Sequence, residues 1–91
     1  MPRVGRHVRV IGRVQGVFFR AWTAEQAKSL DVSGWVRNRP DGSVEAHLAG
    51  EAGLVEQMVD RMRDGPPNAM VSEIQVEKVD PEMATGFRVR H

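Results

Sequence analysis

The stretch that decides the fold is VSGWVRNRPDGSVEAHL, residues 32–48. Residues 32–38 have the composition of a strand, and residues 39–42, Arg-Pro-Asp-Gly, supply the proline and the Asp-Gly pair that are typical of a turn. In the second arm, residues 43–48, apolar and polar side chains alternate as they do on a half-buried strand, and Gly50 is predicted to end it. The segment is therefore predicted to be a β-hairpin.

Amphipathic segments flank this hairpin on both sides. In residues 20–30, small and apolar side chains fall at helical spacing: Thr23, Ala24, Ala27 and Leu30. In residues 51–64, apolar side chains recur every three or four positions until Gly-Pro-Pro at 65–67 ends the pattern: Leu54, Val55, Met58, Val59 and Met62. Both segments are predicted to be helices.

Three further segments read as strands, namely residues 7–12, 71–79 and, more briefly, 87–89. The resulting order predicts an α+β, ferredoxin-like βαββαβ sandwich: an antiparallel sheet with two helices on one face and a short extra C-terminal strand. Ninety-one residues suffice for one compact core, so residues 1–91 are expected to form a single domain.

This topology predicts where two segments distant in sequence meet. The first and second strands run in the same direction, because the helix between them carries the chain back. The loop at residues 13–19 and Asn38, which ends the second strand, are therefore expected at the same edge of the sheet.

Composition excludes several kinds of chemistry. The chain has no cysteine, which removes disulfides and thiolate chemistry, and its three histidines are not paired at metal-binding spacing, so no metal is expected. No apolar run approaches a signal peptide or a membrane span, and a cytoplasmic protein without membrane contact is expected. Residues 1–40 hold eight Lys or Arg against two Asp or Glu, which favours an anionic partner for this half.

The predicted loop GRVQGVFFR, residues 12–20, joins a strand to a helix N-terminus, where free N–H groups and the helix dipole favour an anion. It is not a Walker A loop, because Val17 follows Gly16. Arg20 opens the helix, where a cation is unfavourable by ~0.3–1 kcal/mol. Such misfits are where functional sites are expected, and a guanidinium there could bind a phosphate through two parallel hydrogen bonds; taken alone, however, the residue reads more simply as an exposed arginine.

Asn38 also has two interpretations. An asparagine beside a turn often bonds to nearby backbone and shapes the hairpin. Its amide also accepts and donates hydrogen bonds, so it can fix the direction from which a water attacks. An amide cannot remove a proton at neutral pH, and this role therefore requires an intrinsically reactive substrate.

Two stretches resemble the signatures of the acylphosphatase family. Residues 12–20, GRVQGVFFR, resemble the first, and GWVRN at 34–38 with DGSVE at 41–45 and Gly50 resembles the second. The resemblance implies a cofactor-free, metal-independent hydrolysis of acyl phosphates to carboxylate and inorganic phosphate, without a phospho-enzyme. It implies that Arg20 and the backbone N–H groups of the loop bind the phosphoryl group, and that Asn38 orients the attacking water. The loop residues concerned are Gln15, Gly16, Val17, Phe18 and Phe19.

The resemblance also sets expectations for partners. The substrate is expected to be a small-molecule acyl phosphate, with inorganic phosphate as product and inhibitor, no nucleic acid partner, and a monomeric state. The family often ends in tyrosine, whereas this chain ends in His91, so the packing of the C-terminus is open. Histidines at 7 and 47 are expected to be exposed or hydrogen-bonded, and Trp22 and Trp35 to serve packing.

Two other functions remain open at this point. Ferredoxin-like folds also serve as non-catalytic binding modules for RNA or small molecules, but only Trp35 offers an aromatic of the kind that RNA recognition on such a sheet requires. The other possibility is a carbamoyl-phosphate-handling module of a larger maturation enzyme.

Overall fold

Five strands and two helices make up the fold in the computed structural model, which describes residues 3–82 and 85–91. Their bounds are β1 Arg3–Arg13, α1 Phe19–Ser29, β2 Ser33–Asn38, β3 Val44–Glu51, α2 Ala52–Asp64, β4 Met70–Val79 and β5 Phe87–Arg90. The predicted order of elements and the hairpin at β2–β3 are confirmed.

The sheet has the strand order β4-β1-β3-β2-β5. β1, β2, β3 and β4 pair antiparallel, as predicted for a ferredoxin-like α+β fold. The short extra strand β5 adds to the outer side of β2 in parallel, from Gly34 opposite Phe87 to Arg37 opposite Arg90. The four-stranded antiparallel sheet is thus confirmed. The parallel pairing of β5 makes the complete sheet a mixed one.

Three strands end at one edge of this sheet. β1 and β2 are both antiparallel to β3, and β5 is parallel to β2, so all three run in the same direction. Their last residues, Arg13, Asn38 and Arg90, consequently lie along the same edge. The predicted meeting of the β1–α1 loop with the end of β2 follows directly from this arrangement.

The core lies between the helices and one face of the sheet. The apolar side chains that the sequence placed on one strand face are fully or almost fully buried: Val8, Val10, Val44, Ala46 and Leu48. The helical stripes oppose them with the buried residues Thr23, Ala24, Ala27, Val55, Met58, Val59 and Met62, while Leu54 is half-buried at the margin. Each large apolar side chain buried in this way contributes ~1.5–3 kcal/mol of hydrophobic free energy.

Backbone pairing extends two strands beyond their hydrophobic patterns. β1 begins at Arg3 rather than near residue 7, because its polar start pairs with the end of β3. β3 continues through Gly50, which lies opposite Val4, so the prediction that Gly50 ends the strand is wrong. Glu51 then caps α2, its carboxylate accepting hydrogen bonds from the N–H groups of Gly53 (3.0 Å) and Leu54 (3.2 Å).

Both helices in the described ranges are too short or too polar to cross a lipid bilayer.

Candidate active site

The loop between β1 and α1 has the backbone shape of an anion cradle. Gly16 and Phe18 both adopt left-handed conformations, with φ of 75° and 62°. Such residues curl a loop so that successive N–H groups converge on one side. Phe18 is the N-cap of α1, and the first turn of that helix contains no acidic side chain that would neutralise its positive end.

Arg20 and Asn38 line the same cleft, which has a volume of about 480 Å³. Gly16, Phe18 and Phe19 line it as well. The structure therefore brings together five of the seven predicted site residues, from two segments of the chain. The remaining lining residues are Val14, Ala21, Val89 and His91.

The other two predicted residues, Gln15 and Val17, do not line the cleft. Val17 packs half-buried against the hydrophobic core. The Gln15 side chain turns toward the β2–β3 hairpin, where its Nε2 donates to the backbone oxygens of Arg39 (2.8 Å) and Ser43 (2.9 Å). One amide thus ties the loop to the hairpin whose first arm ends at Asn38.

Arg20 is half-buried and held by the end of the chain. Its Nη1 donates to the backbone oxygen of Arg90 and to Nδ1 of His91, both at 3.2 Å. A guanidinium has five N–H groups and can only donate, so Nδ1 of His91 must be the acceptor. Nε and Nη2 make no hydrogen bond with residues 3–82 or 85–91, which leaves a complete two-donor edge of the guanidinium for an anion.

Asn38 takes no part in the turn that follows it. The turn is closed by the Arg39 N–H, which donates to the Ser43 oxygen at 2.8 Å, and by Asp41, whose Oδ1 accepts from the Ser43 N–H at 3.0 Å. The half-buried Asn38 amide has no hydrogen-bond partner within the described ranges. Its polar atoms are therefore uncommitted beside the cleft, which disfavours the turn-shaping interpretation.

Sequence reasoning missed the side chains of Gln15 and His91. The bonds of Gln15 could have been expected from the topology, which places the β1–α1 loop beside the β2–β3 turn. An amide with two N–H donors can link two such neighbouring segments. For His91, the sequence indicates only a departure from the tyrosine that often ends the family. Its place beside Arg20 depends on the parallel pairing of β5 with β2, for which the sequence contains no local signal.

A network of charged side chains lies on the face of the hairpin that is opposite the helices. The Glu45 carboxylate accepts from His7 Nε2 at 2.5 Å and from Arg37 Nε at 2.6 Å. Burial alone would raise the pKa of Glu45, but the hydrogen bonds and charges of His7 and Arg37 outweigh it and lower that pKa below the ordinary 4.5. Glu45 is therefore ionised at neutral pH and holds two strands in register with the third.

His47 departs from expectation. It is only 7% exposed, stacks on Trp35 with ring centroids 6.3 Å apart, and its Nδ1 has no partner among the described residues. β3 is the central strand of the sheet, so even its open face is covered by neighbouring side chains. The expectation of an exposed or hydrogen-bonded histidine is wrong here, whereas His7 meets it through Glu45.

No three His, Asp or Glu side chains of the described part of the chain are grouped so that they could hold a metal ion.

The comparisons with known proteins agree on one family. The pattern that defines the acylphosphatases matches residues 6–89. An acylphosphatase of Rhizorhabdus wittichii is 54% identical over 93% of this chain and 86% of its own length, and one of Thermococcus kodakarensis is 46% identical over 98% of each. The structure of an acylphosphatase from Coxiella burnetii superposes with a TM-score of 0.93, at 39% identity over 97% of this chain and 93% of that one.

The chain belongs to the acylphosphatase family. It is an enzyme of the hydrolase class, and its substrates are acyl phosphates.

Proposed function

We propose that Arg20 and the backbone N–H groups of residues 15–19 hold the phosphoryl group of the acyl phosphate, and that Asn38 orients the attacking water. One observation carries this proposal: Arg20 and Asn38 line one cleft beside the left-handed loop, each with polar groups that make no hydrogen bond to the described residues. In the proposed complex, the free edge of the guanidinium takes two phosphoryl oxygens and the loop takes the third.

The reaction needs little covalent help from the protein. A water oxygen bonds to phosphorus while the bond from phosphorus to the carboxyl oxygen breaks, and the water's proton passes to a phosphoryl oxygen. The carboxylic acid that corresponds to the leaving group has an ordinary pKa of ~4, so the carboxylate departs without a general acid. Catalysis then rests on positioning the water and on stabilising the charge of the equatorial oxygens, which suits Asn38 and Arg20.

The proposal includes independence from metal ions, because a guanidinium and converging N–H groups supply the positive potential that a metal would otherwise supply. Hydrolysis of benzoyl phosphate in excess EDTA tests this directly. Full activity is expected, and activity that EDTA abolishes and Mg²⁺ restores would refute the metal-independent mechanism.

The role of Asn38 is tested by Asn38→Ala. We expect kcat for benzoyl phosphate to fall about 100-fold, since the water loses its orientation, while inhibition by inorganic phosphate persists. Stability should change by less than about 0.5 kcal/mol, because the amide bonds to no described residue. The matched control is Asn68→Ala, an exposed asparagine in the turn after α2, which should keep full activity.

Two outcomes would contradict this role. If Asn38→Ala retained wild-type turnover, Asn38 would not orient the water. If phosphate inhibition and activity disappeared together, Asn38 would be required for the shape of the phosphate site instead.

A further inference from the structure

Phe18 combines two features that folding alone disfavours. Its side chain is 83% exposed, whereas its neighbour Phe19 is 2% exposed and part of the core. Its backbone is left-handed, with φ of 62°, a conformation that is rare for a bulky residue and that glycine or asparagine adopts more easily. The curl of the loop therefore explains the backbone conformation but does not explain the ring. Strained backbone positions cluster at active sites and ligand clamps, and this one presents an aromatic ring to solvent beside the cleft.

Phe18 is one of the residues that line the cleft that holds Arg20 and Asn38, and its exposed side chain is not fixed in the core. The cleft's volume of about 480 Å³ lies within the range of ~300–1,000 Å³ that is typical of sites for small organic molecules, which leaves room beyond a phosphoryl group. The half-buried Val89 and the exposed Ala21 add apolar surface to the same lining.

The charges of the lining residues restrict which kind of acyl group the cleft can bind. No Asp or Glu is among the described residues that line it, so none of the lining side chains offers a carboxylate to a substrate's ammonium group. The cationic group of the lining, Arg20, is assigned to the phosphoryl group in the proposed function. With Arg20 bound to the phosphoryl group, the other described lining residues are apolar except for Gly16, Asn38 and His91, so the lining offers the acyl group mostly apolar contact.

We infer that Phe18 forms the acyl subsite and determines how strongly an apolar, and above all an aromatic, acyl group is favoured over a small one. This inference rests on the proposed function, because it assumes that the phosphoryl group occupies the loop and Arg20. Phe18 then packs against the acyl carbon skeleton and contributes to specificity, while its backbone N–H remains part of the phosphate loop.

The test is the ratio of kcat/KM for benzoyl phosphate to kcat/KM for acetyl phosphate, measured for the wild type and for Phe18 variants. Phe18→Asn removes the ring while tolerating the left-handed backbone, and Phe18→Ala removes it without adding a polar group. We expect each variant to lower the ratio about tenfold, the lower end of what an apolar contact contributes to discrimination in a pocket. Phe18→Tyr keeps the ring and is expected to keep the ratio.

The outcomes separate this inference from the proposed function. An unchanged ratio in both Phe18→Asn and Phe18→Ala, whether or not total activity falls, would overturn the acyl subsite and leave the roles of Arg20 and Asn38 standing. A folded wild type that hydrolyses neither substrate would refute the proposed function and the subsite together. Competitive inhibition by inorganic phosphate, measured on each variant, reports separately whether the phosphate loop has kept its shape.

Discussion

Replacing Gln15 by alanine isolates the link between the phosphate loop and the hairpin that carries Asn38. The substitution deletes two hydrogen bonds, from Nε2 to the oxygens of Arg39 and Ser43. It leaves the loop's backbone N–H groups in the chain. Any effect on the reaction must therefore come from the position of the loop rather than from a lost contact with the substrate.

The magnitude follows from the partners of the two carbonyls. Each hydrogen bond has a net value of ~0.5–1.5 kcal/mol. Neither carbonyl is orphaned by the substitution, because the Ser43 oxygen still accepts from the Arg39 N–H and the Arg39 oxygen from the Gly42 N–H. We therefore expect a loss of about 1–2 kcal/mol in the free energy of unfolding, equivalent to a fall of roughly 5–15 °C in Tm for a domain of this size.

Urea unfolding measures this loss, and initial rates with benzoyl phosphate measure its functional consequence. A loop released from the hairpin should raise KM more than it lowers kcat. Gln15→Glu should be more destabilising than Gln15→Ala at pH 7, since a carboxylate would face two carbonyl oxygens and could donate to neither. The matched control is Gln75→Ala, which removes only an exposed contact with Glu73 and should change stability by less than about 0.5 kcal/mol.

The reasoning would be refuted if Gln15→Ala unfolded at the same urea concentration as the wild type with an unchanged KM. The loop would then hold its shape through α1 and the core alone.

Three further outcomes are expected. Arg20→Ala should raise the inhibition constant of inorganic phosphate by about 10- to 100-fold, the effect of losing a charge-assisted pair of hydrogen bonds, and unchanged inhibition would remove Arg20 from the site. His91→Ala should raise the inhibition constant of phosphate only about two- to fivefold, because Arg20 keeps its hydrogen bond to the Arg90 oxygen. His91→Asn restores a hydrogen-bond acceptor and should recover most of the lost affinity for phosphate. Equal inhibition constants in the wild type and both variants would contradict this role of His91. The lowered pKa of Glu45 implies stability that is complete above the unfolded value near 4.5 and is lost as the pH falls through the folded value, so urea unfolding at pH 3–7 should show a steeper acid decline in the wild type than in Glu45→Gln.

Periodicity was sufficient to predict the elements and the buried faces of this fold. The stripe from Val55 to Met62 and the alternation in residues 44–48 reflect burial, which leaves a direct mark on residue type. Strand ends left no such mark, because the polar start of β1 and the passage of β3 through Gly50 are fixed by backbone pairing with a partner strand. Hydrogen bonds between backbone groups depend little on which side chains the residues carry.

The candidate site was predictable to the extent that it is local. Arg20 stands out as a cation at a helix start, and the topology brings Asn38 to the same edge. The side chains of Gln15 and His91 act through partners 24 to 71 residues away, so no pattern within the β1–α1 segment could reveal them. The burial of His47, whose Nδ1 has no partner in residues 3–82 and 85–91, could not be predicted either, because it follows from the central place of β3 in the sheet.

The parallel strand β5 also determines when the site can form during synthesis of the chain. The Arg90 oxygen that anchors Arg20 lies 70 residues further along the chain. At synthesis rates of ~5–20 residues per second, this anchor is made roughly 4–14 s after the arginine it holds. During that interval the loop and Arg20 can exist without the anchored guanidinium, so a nascent chain should acquire tight phosphate binding only after its last strand has emerged and paired with β2.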